Sequence, residues 1–480
     1  LTSKPIVPSA RRLLAASKRQ AKSLLRPLVA NWNGAPKTFS PERWGLSSEP
    51  NGLSLRGVSL HALLDQWGSP LFVVDEERLR ANAVAFQSVP TGRTSGCEVY
   101  YSYKTNPVVG VLRALHAWGV GAEVISPYEL WLARRLGVPP ARIIYNGPGK
   151  SDESIREAIE LGIGSINCNH AEEVERIARL ARQAGRRARI GIRVAANAGW
   201  SAQFGTPIRD GLALAAFERA LAFPELEVVS IHAHRGGMIR WESELTSFVS
   251  EVLDFVEELR AKLGLRLELL NFGGSLGLPT VCGLDGRDRQ LNQTFHRDLP
   301  LPVAAGTLSI ERYVEVLVGL VHDHHQRVSE PVPRIAVEPG RSMTGNTQLL
   351  LAKVLTTKTM DGVRFAVLDA GINLAESVRN EYHQVLPINR FGEPATQVHT
   401  LVGPICSPGD TLYSAVRLPT LNVGDSLAVL DAGAYFVPFS TSFSYPRPAI
   451  VMVRGSGAVQ RLRLAETFED LTRLETDEGA

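Results

Sequence analysis

The sequence predicts an α/β fold joined to an all-β one: an N-terminal (β/α)8 barrel followed by a C-terminal β-barrel or sandwich domain. Three observations predict it. The chain has 480 residues, more than one small domain accommodates. Between residues 71 and 340, apolar strand-like runs alternate with segments whose apolar residues recur at i, i+3 and i+4. From about residue 342 to 460 that spacing stops. Short β-branched or aromatic runs such as TQLLLAKVLTTK, VRFAVLDAG and AIVMVRG are separated there by Gly, Pro and Asp turns.

The elements follow in order. Residues 1–45 form a basic arm, with no acid before Glu42 and with Lys4, Arg11, Arg12, Lys18, Arg19, Lys22, Arg26 and Lys37 interleaved with leucines. An organelle presequence, a docking helix and a solvated arm all read this way. A lead-in segment, 46–72, is expected to pack on the β domain, and the barrel is expected to span 73–341. The run Leu71–Val74 is counted as a possible first strand. VYYSY, AEVIS, RIIYN, SINCN, ARIGIRVA, VVSIHAH, LELLNFGG and RIAVEPG follow, making eight or nine strands linked by helices such as AEEVERIARLARQAG. That count suits a closed barrel or a doubly wound sheet. Residues 278–307 are rich in Asp, Arg and Pro and lack periodicity, so they are expected to be a lid or a disordered loop. Residues 342–480 form the β domain.

Composition excludes several function classes. Hydrophobic residues are 44%, charged residues 21% and the formal net charge is +3, which gives no field for nucleic acid. No apolar run approaches the ~18–20 residues of a membrane span. The four cysteines, Cys97, Cys168, Cys282 and Cys406, form no CxxC or Cys/His cluster at metal-ligand spacing. A reducing, cytoplasmic setting is expected, with no metal.

The chemistry centres on Lys104, in VYYSYKTNP just after an apolar strand. Active sites collect at that end of a barrel. A lysine that forms an imine must be neutral, and burial would lower its pKa toward that state. An isolated lysine at a strand end is more often a surface residue; its surroundings decide otherwise. PLFVVDEERLRAN, YYSYKTNP, GAEVISPYEL, RIIYNGPGKS, SIHAHRGG, LNFGG, AVEPGRSM, LDAGIN, NEYH, VGPICSPGD and VLDAGAY occur in one order along the chain. In these stretches the chain resembles the fold-type III pyridoxal-phosphate (PLP) decarboxylases, which include diaminopimelate, ornithine and arginine decarboxylases, and within them the diaminopimelate branch.

The resemblance implies a TIM-like barrel with a C-terminal β domain, a PLP cofactor and amino-acid decarboxylation. It matches Lys104 to the Schiff-base lysine and Glu338 to the acid that keeps the pyridine nitrogen protonated, making the ring an electron sink. His234 matches the histidine stacked on the ring. Gly273 and Gly274 match a phosphate-holding loop whose third position is here Ser275, either a phosphate donor or a residue that narrows the turn. Gly237 stands where relatives carry a phosphate-binding Ser. Arg341 and Tyr435 are expected near the phosphate, and Glu123 and Arg193 as a charged pair near the lysine. Cys406 matches the proton donor that reaches into a partner's site, which implies a homodimer with shared active sites.

Two departures concern the substrate. Relatives have a Glu after the cysteine; here it is Ser407. Relatives carry an Arg-Pro after DAGMN, whose Arg holds a substrate carboxylate; here Ala375 and Glu376 occupy those positions, with Arg379 a helical turn further on. Ser407, Arg379 and Tyr382 are the expected substrate contacts, and a modified or conjugated amino acid is the expected substrate. Two other readings remain: a racemase or epimerase, which commonly pairs the pyridine nitrogen with arginine, and a non-catalytic binding homologue, which tends to lose the lysine or the cysteine.

Overall fold

The computed structural model describes residues 21, 22, 24–26, 29, 38–197, 203–360 and 362–476. Of the basic arm, 31 of its 45 residues therefore lie outside the described residues. Eight parallel strands form the barrel: Cys97–Ser102, Gly121–Val124, Ile143–Tyr145, Ser165–Cys168, Ala188–Ala195, Leu226–Ala233, Leu269–Asn271 and Arg334–Val337. The eighth pairs with the first (Ile335 with Cys97, Val337 with Val99) and the fourth with the fifth (Ile166 with Ile190), so the ring closes. Closure decides for the barrel over the doubly wound sheet. The crossover helices have the expected punctuation. Asp152–Leu161 opens on a Ser151–Ser154 capping box and stops at Gly162. Glu172–Ala184 buries Val174, Ile177, Ala178 and Ala181 along one face and ends at Gly185.

One strand belongs elsewhere. Leu71–Asp75 lies in the second sheet, antiparallel to Gln348–Met360 and parallel to Ala449–Val453. Its five residues are all buried, and a continuous apolar run fits the middle of either sheet equally well. The boundary drawn at residue 73 thus cuts a strand, and the chain leaves the second sheet only at the helix Glu76–Phe86. The hairpin Leu46–Glu49/Gly52–Leu55 packs Leu46, Leu53 and Leu55 with Leu349, Leu351 and Val451 of that sheet. Trp44 is buried beside them and donates from Nε1 to Asp431 Oδ1 at 2.9 Å.

Residues 278–307 are neither a disordered loop nor a detached lid. Gly286–Phe295 is a helix, N-capped by Asp285 through the Arg287 and Asp288 amides. It is anchored by a polar residue: buried Asn292 donates to the carbonyls of Arg297 and Ala415, both at 2.8 Å. A hydrophobic pattern cannot reveal a helix docked in that way. Just before it, Leu284 N donates to Asn380 O at 2.7 Å, and Tyr382 N donates to Cys282 O at 2.8 Å. Residues 278–307 are thus stitched to the segment carrying Arg379 and Tyr382. Asn292→Ala leaves two carbonyls without this donor, at about 1–3 kcal/mol. Trypsin should then cut faster at Arg287 and Arg289; unchanged cleavage rates would show that the anchor is not what holds the helix.

Candidate active site

Lys104 occupies the turn Tyr103–Thr105, directly after the first barrel strand and at its C-terminal end. Both domains hold this turn. Ser102 N donates to Pro339 O at 3.2 Å, Tyr435 N donates to Thr105 O at 2.9 Å, and Asn106 Nδ2 donates to Gln348 Oε1 and Gly433 O. The lysine side chain is exposed to the opening at the mouth, but protein surrounds it closely enough to set its field. Desolvation pulls the ammonium pKa down, while Glu123, Tyr435 and Glu338 pull it up more strongly, and the net shift is upward. The expected burial-driven lowering is therefore reversed by Glu123, Tyr435 and Glu338 together. Among the described residues, no hydrogen bond or ion pair fixes the amine. Lys150 is a useful contrast: fully buried, it donates to Gly147 O at 2.6 Å and pairs with Glu173 at 3.2 Å. Of these two, Lys104 is the one free to react.

The carboxylates are built into the strand ends. Glu123 accepts from Ser102 Oγ at 2.6 Å and from Asn146 Nδ2 at 2.9 Å. Asn146 Nδ2 also reaches Glu338 Oε1 at 2.9 Å, and Asn271 Nδ2 reaches the same oxygen at 2.6 Å. Asn167 Nδ2 donates to Asn146 Oδ1 at 2.7 Å, which fixes the orientation of that amide. His232 Nε2 stands 3.3 Å from Glu338 Oε2, close but not aligned as a hydrogen bond. Burial alone would raise the Glu338 pKa; His232 and the two amides outweigh it and hold the carboxyl well below the usual range. Arg193 is half-buried over Phe204, 4.8 Å from the ring centroid. It lies in the field of Glu123 and Glu338, but no ion pair joins it to Glu123 among the described residues, so the two are not a contact pair.

His234 follows the sixth strand. Gly274 N donates to its Nδ1 at 3.2 Å, so the hydrogen is on Nε2, which donates to Ser275 Oγ at 3.1 Å. Ser275 in turn donates its hydroxyl proton to Arg235 O. Burial, then Lys104, His232 and Arg193, lower the His234 pKa to about 3, so the ring is neutral at neutral pH. With its one proton directed to Arg235 O, Ser275 has none left for a phosphate, one of the two roles the resemblance left open for it. Gly273 and Gly274 are sterically required: a Cβ would lie 2.6 Å from His234 Nδ1 at the first and 2.5 Å from Glu338 O at the second. Gly237 is exposed, with no atom near enough to touch a Cβ.

Arg341 stacks on Tyr435 at 5.2 Å and pairs with Glu381 at 2.6 Å, while its Nη1 is buried without a partner. Glu381 and Tyr382 line a separate cavity of about 810 Å³, together with Arg379, Arg289 and Asn292. None of the groups around Lys104 lines it. Arg379 is exposed and only 3.9 Å from Glu376. Cys406 is exposed on a tightly pinned loop: Asp410 accepts from Ile405 N and Ile372 N, and a Cβ at Gly403 would lie 2.2 Å from Gly371 Cα. Ser407 Oγ accepts from Gly409 N at 3.3 Å within the same loop.

A free lysine, an ionised buried carboxylate, a neutral imidazole and a glycine cradle with no room for side chains suit a phosphorylated pyridine aldehyde. His232, His234 and Glu338 each bring one ligand atom within 4.8 Å of the others, a spacing a metal could use. Both His234 nitrogens are already in hydrogen bonds, which favours the organic group. Residues 87–345 match the family described as pyridoxal-dependent decarboxylase, pyridoxal binding domain. The chain belongs to this family. It is a PLP-dependent amino-acid decarboxylase of the diaminopimelate decarboxylase branch. It is 30% identical to diaminopimelate decarboxylase of Methanothermobacter thermautotrophicus, covering 88% of this chain and 95% of that one. The Aquifex aeolicus enzyme is 31% identical, with coverage of 87% and 94%. The crystal structure of diaminopimelate decarboxylase from M. jannaschii superposes with a TM-score of 0.79 at 26% identity, covering 90% of this chain and 97% of that one.

Asn146, Asn167, Asn271, His232 and Glu381 escaped the sequence reading. Their signal was present: RIIYN, SIN and LLN each carry an Asn at or next to a strand's C-terminal end, where it turns into the mouth.

The low His234 pKa has a consequence for stability. The unfolded histidine takes up a proton near pH 6.5 and the folded one only near 3. The unfolded state therefore binds more protons between these values, so this contribution is complete above pH 6.5 and is lost as pH falls through that window. His234→Gln should flatten the loss by about 1.4 kcal/mol per pH unit around pH 5. Urea unfolding of both proteins from pH 4.5 to 6.5 measures it; parallel curves would place the proton elsewhere.

Proposed function

We propose that this enzyme removes the α-carboxylate of an amino acid or amino-acid conjugate other than diaminopimelate, in a homodimer whose sites share Lys104 of one chain and Cys406 of the other. The observation that carries the decarboxylase chemistry is the meeting of Lys104, Glu123, Glu338 and His234 at one strand-end cluster. When bound, PLP supplies an electrophilic ring that accepts the electron pair released as CO2 leaves. Lys104 Nζ is the amine that holds the cofactor. Glu338 spends Oε1 on two amides and keeps Oε2 to hold a proton at the ring nitrogen. His234 offers a neutral face, fixed at both nitrogens. Gly273 and Gly274 present backbone to the phosphate, and Arg341 has the buried Nη1 donor free for it.

The substrate reading rests on two departures that touch each other. The segment holding Ala375, Glu376, Arg379 and Glu381 is the one to which residues 278–307 are hydrogen-bonded. Glu381 also pairs with Arg341. With Arg341 so paired, a distal carboxylate finds one free cation fewer beside the Tyr382 segment. The dimer reading is supported by Cys406, an exposed thiol on a rigid loop near exposed Tyr445, whose hydroxyl donates to Pro404 O. A second copy reaching in with this thiol would reprotonate Cα.

Two experiments check these readings. In a panel of amino acids and conjugates assayed for CO2, meso-diaminopimelate should fall about tenfold or more below the best substrate; ranking first would refute the altered specificity. Lys104→Ala and Cys406→Ala should each be nearly inactive, and an equimolar mixture after dissociation and reassembly should regain about a quarter of wild-type activity. Half of the randomly formed dimers are mixed, and each of those has one intact site. No recovery would mean that the two residues act within one chain.

A further inference from the structure

We infer that Ser275 is a positioning residue: it orients the His234 imidazole against the cofactor ring and takes no direct part in holding the phosphate. The inference rests on the reading that His234 packs on that ring. Ser275 stands at φ +80°, a conformation that suits glycine and strains an L side chain. The resemblance places a glycine at this position, so the serine is held there against a conformational cost. What its side chain does is visible in the hydrogen bonds. Oγ accepts from His234 Nε2 and donates to Arg235 O, and its single proton has no second destination.

The neighbours complete the device. Gly274 N fixes the opposite ring nitrogen, and Gly273 leaves no space on the Nδ1 side, where a Cβ would lie 2.6 Å away. His232 stands edge-on to His234, with ring centroids 6.4 Å apart. With glycine at 275 the ring keeps one anchor and can rotate about χ2; with serine it has two, one on each nitrogen. Ser275 therefore restores by a side chain the orientation that a bare backbone loop leaves loose.

The test uses the cofactor-depleted enzyme titrated spectroscopically with PLP and, separately, with pyridoxal, which lacks the phosphate. Ser275→Ala and Ser275→Gly should each weaken both ligands by the same roughly three- to tenfold, the worth of one hydrogen bond. Ser275→Gly should melt no lower than wild type, because it relieves the positive φ. In a His234→Ala background, Ser275→Ala should have no further effect. A loss confined to PLP would assign Ser275 to the phosphate and overturn the inference. So would full additivity of the two substitutions, or unchanged affinities in Ser275→Ala while His234→Ala is impaired. If His234→Ala itself leaves both affinities unchanged, the stacking reading fails first, and the inference with it. Separately, ¹⁵N shifts of the His234 ring should show loss of the fixed Nε2–H tautomer in Ser275→Ala; an unaltered tautomer and line width would also count against it.

Discussion

An ionised carboxylate inside a protein is expensive unless every oxygen finds a donor or an opposite charge, and the active site is arranged around meeting that demand at Glu338. Asn146 and Asn271 donate to one of its oxygens, and His232 faces the other. These three come from the third, seventh and sixth barrel strands, so the carboxylate ties together strands that are not all neighbours. Asn146 carries the network on to Glu123, and Ser102 links it to the strand that ends at Lys104. The field of the two carboxylates, with Tyr435, then explains why the lysine pKa rises although desolvation opposes it. One buried charge thus sets the orientation of the strand-end amides and the electrostatics any bound ring would meet, while Glu123 acts more strongly on the nucleophile.

The second domain completes the site. The backbone of Tyr435 bonds to the carbonyl of Thr105, its ring carries Arg341, and Gln348 and Gly433 hold Asn106. The lysine turn is therefore clamped between the domains, and a strand as early as Leu71–Asp75 lies within the second sheet. The proposed change of specificity would lie on the other side of Arg341. There residues 278–307, the 376–383 segment and Glu381 meet, while the groups around Lys104 are left alone.

The barrel strands could be read from the sequence because parallel strands are buried on both faces and appear as unbroken apolar runs. The same property misplaced Leu71–Val74, since a buried run does not say which sheet buries it. The helix Gly286–Phe295 was missed because its anchor is Asn292, and periodicity sees only apolar anchors. At the site, Lys104, Glu338 and His234 were legible through their motifs. The pKa of Lys104 and the hydrogen bonds of Ser275 were not, because both depend on groups brought in from other strands. The asparagines were overlooked although each ends or adjoins a strand: alone, an Asn there looks like a turn residue, and only closure of the barrel turns two of them toward one carboxylate and the third, Asn167, onto Asn146.

Among the described residues, Lys104 stands at the mouth with an amine that no hydrogen bond or ion pair holds, while Lys150 is locked against Glu173. Reducing the PLP-loaded enzyme with borohydride and mapping the modified peptide by mass spectrometry tests this directly. The pyridoxyl group should be found on the peptide that contains Lys104 and on no other. Finding it on Lys150, or finding no covalent adduct in an enzyme that releases CO2, would contradict the assignment.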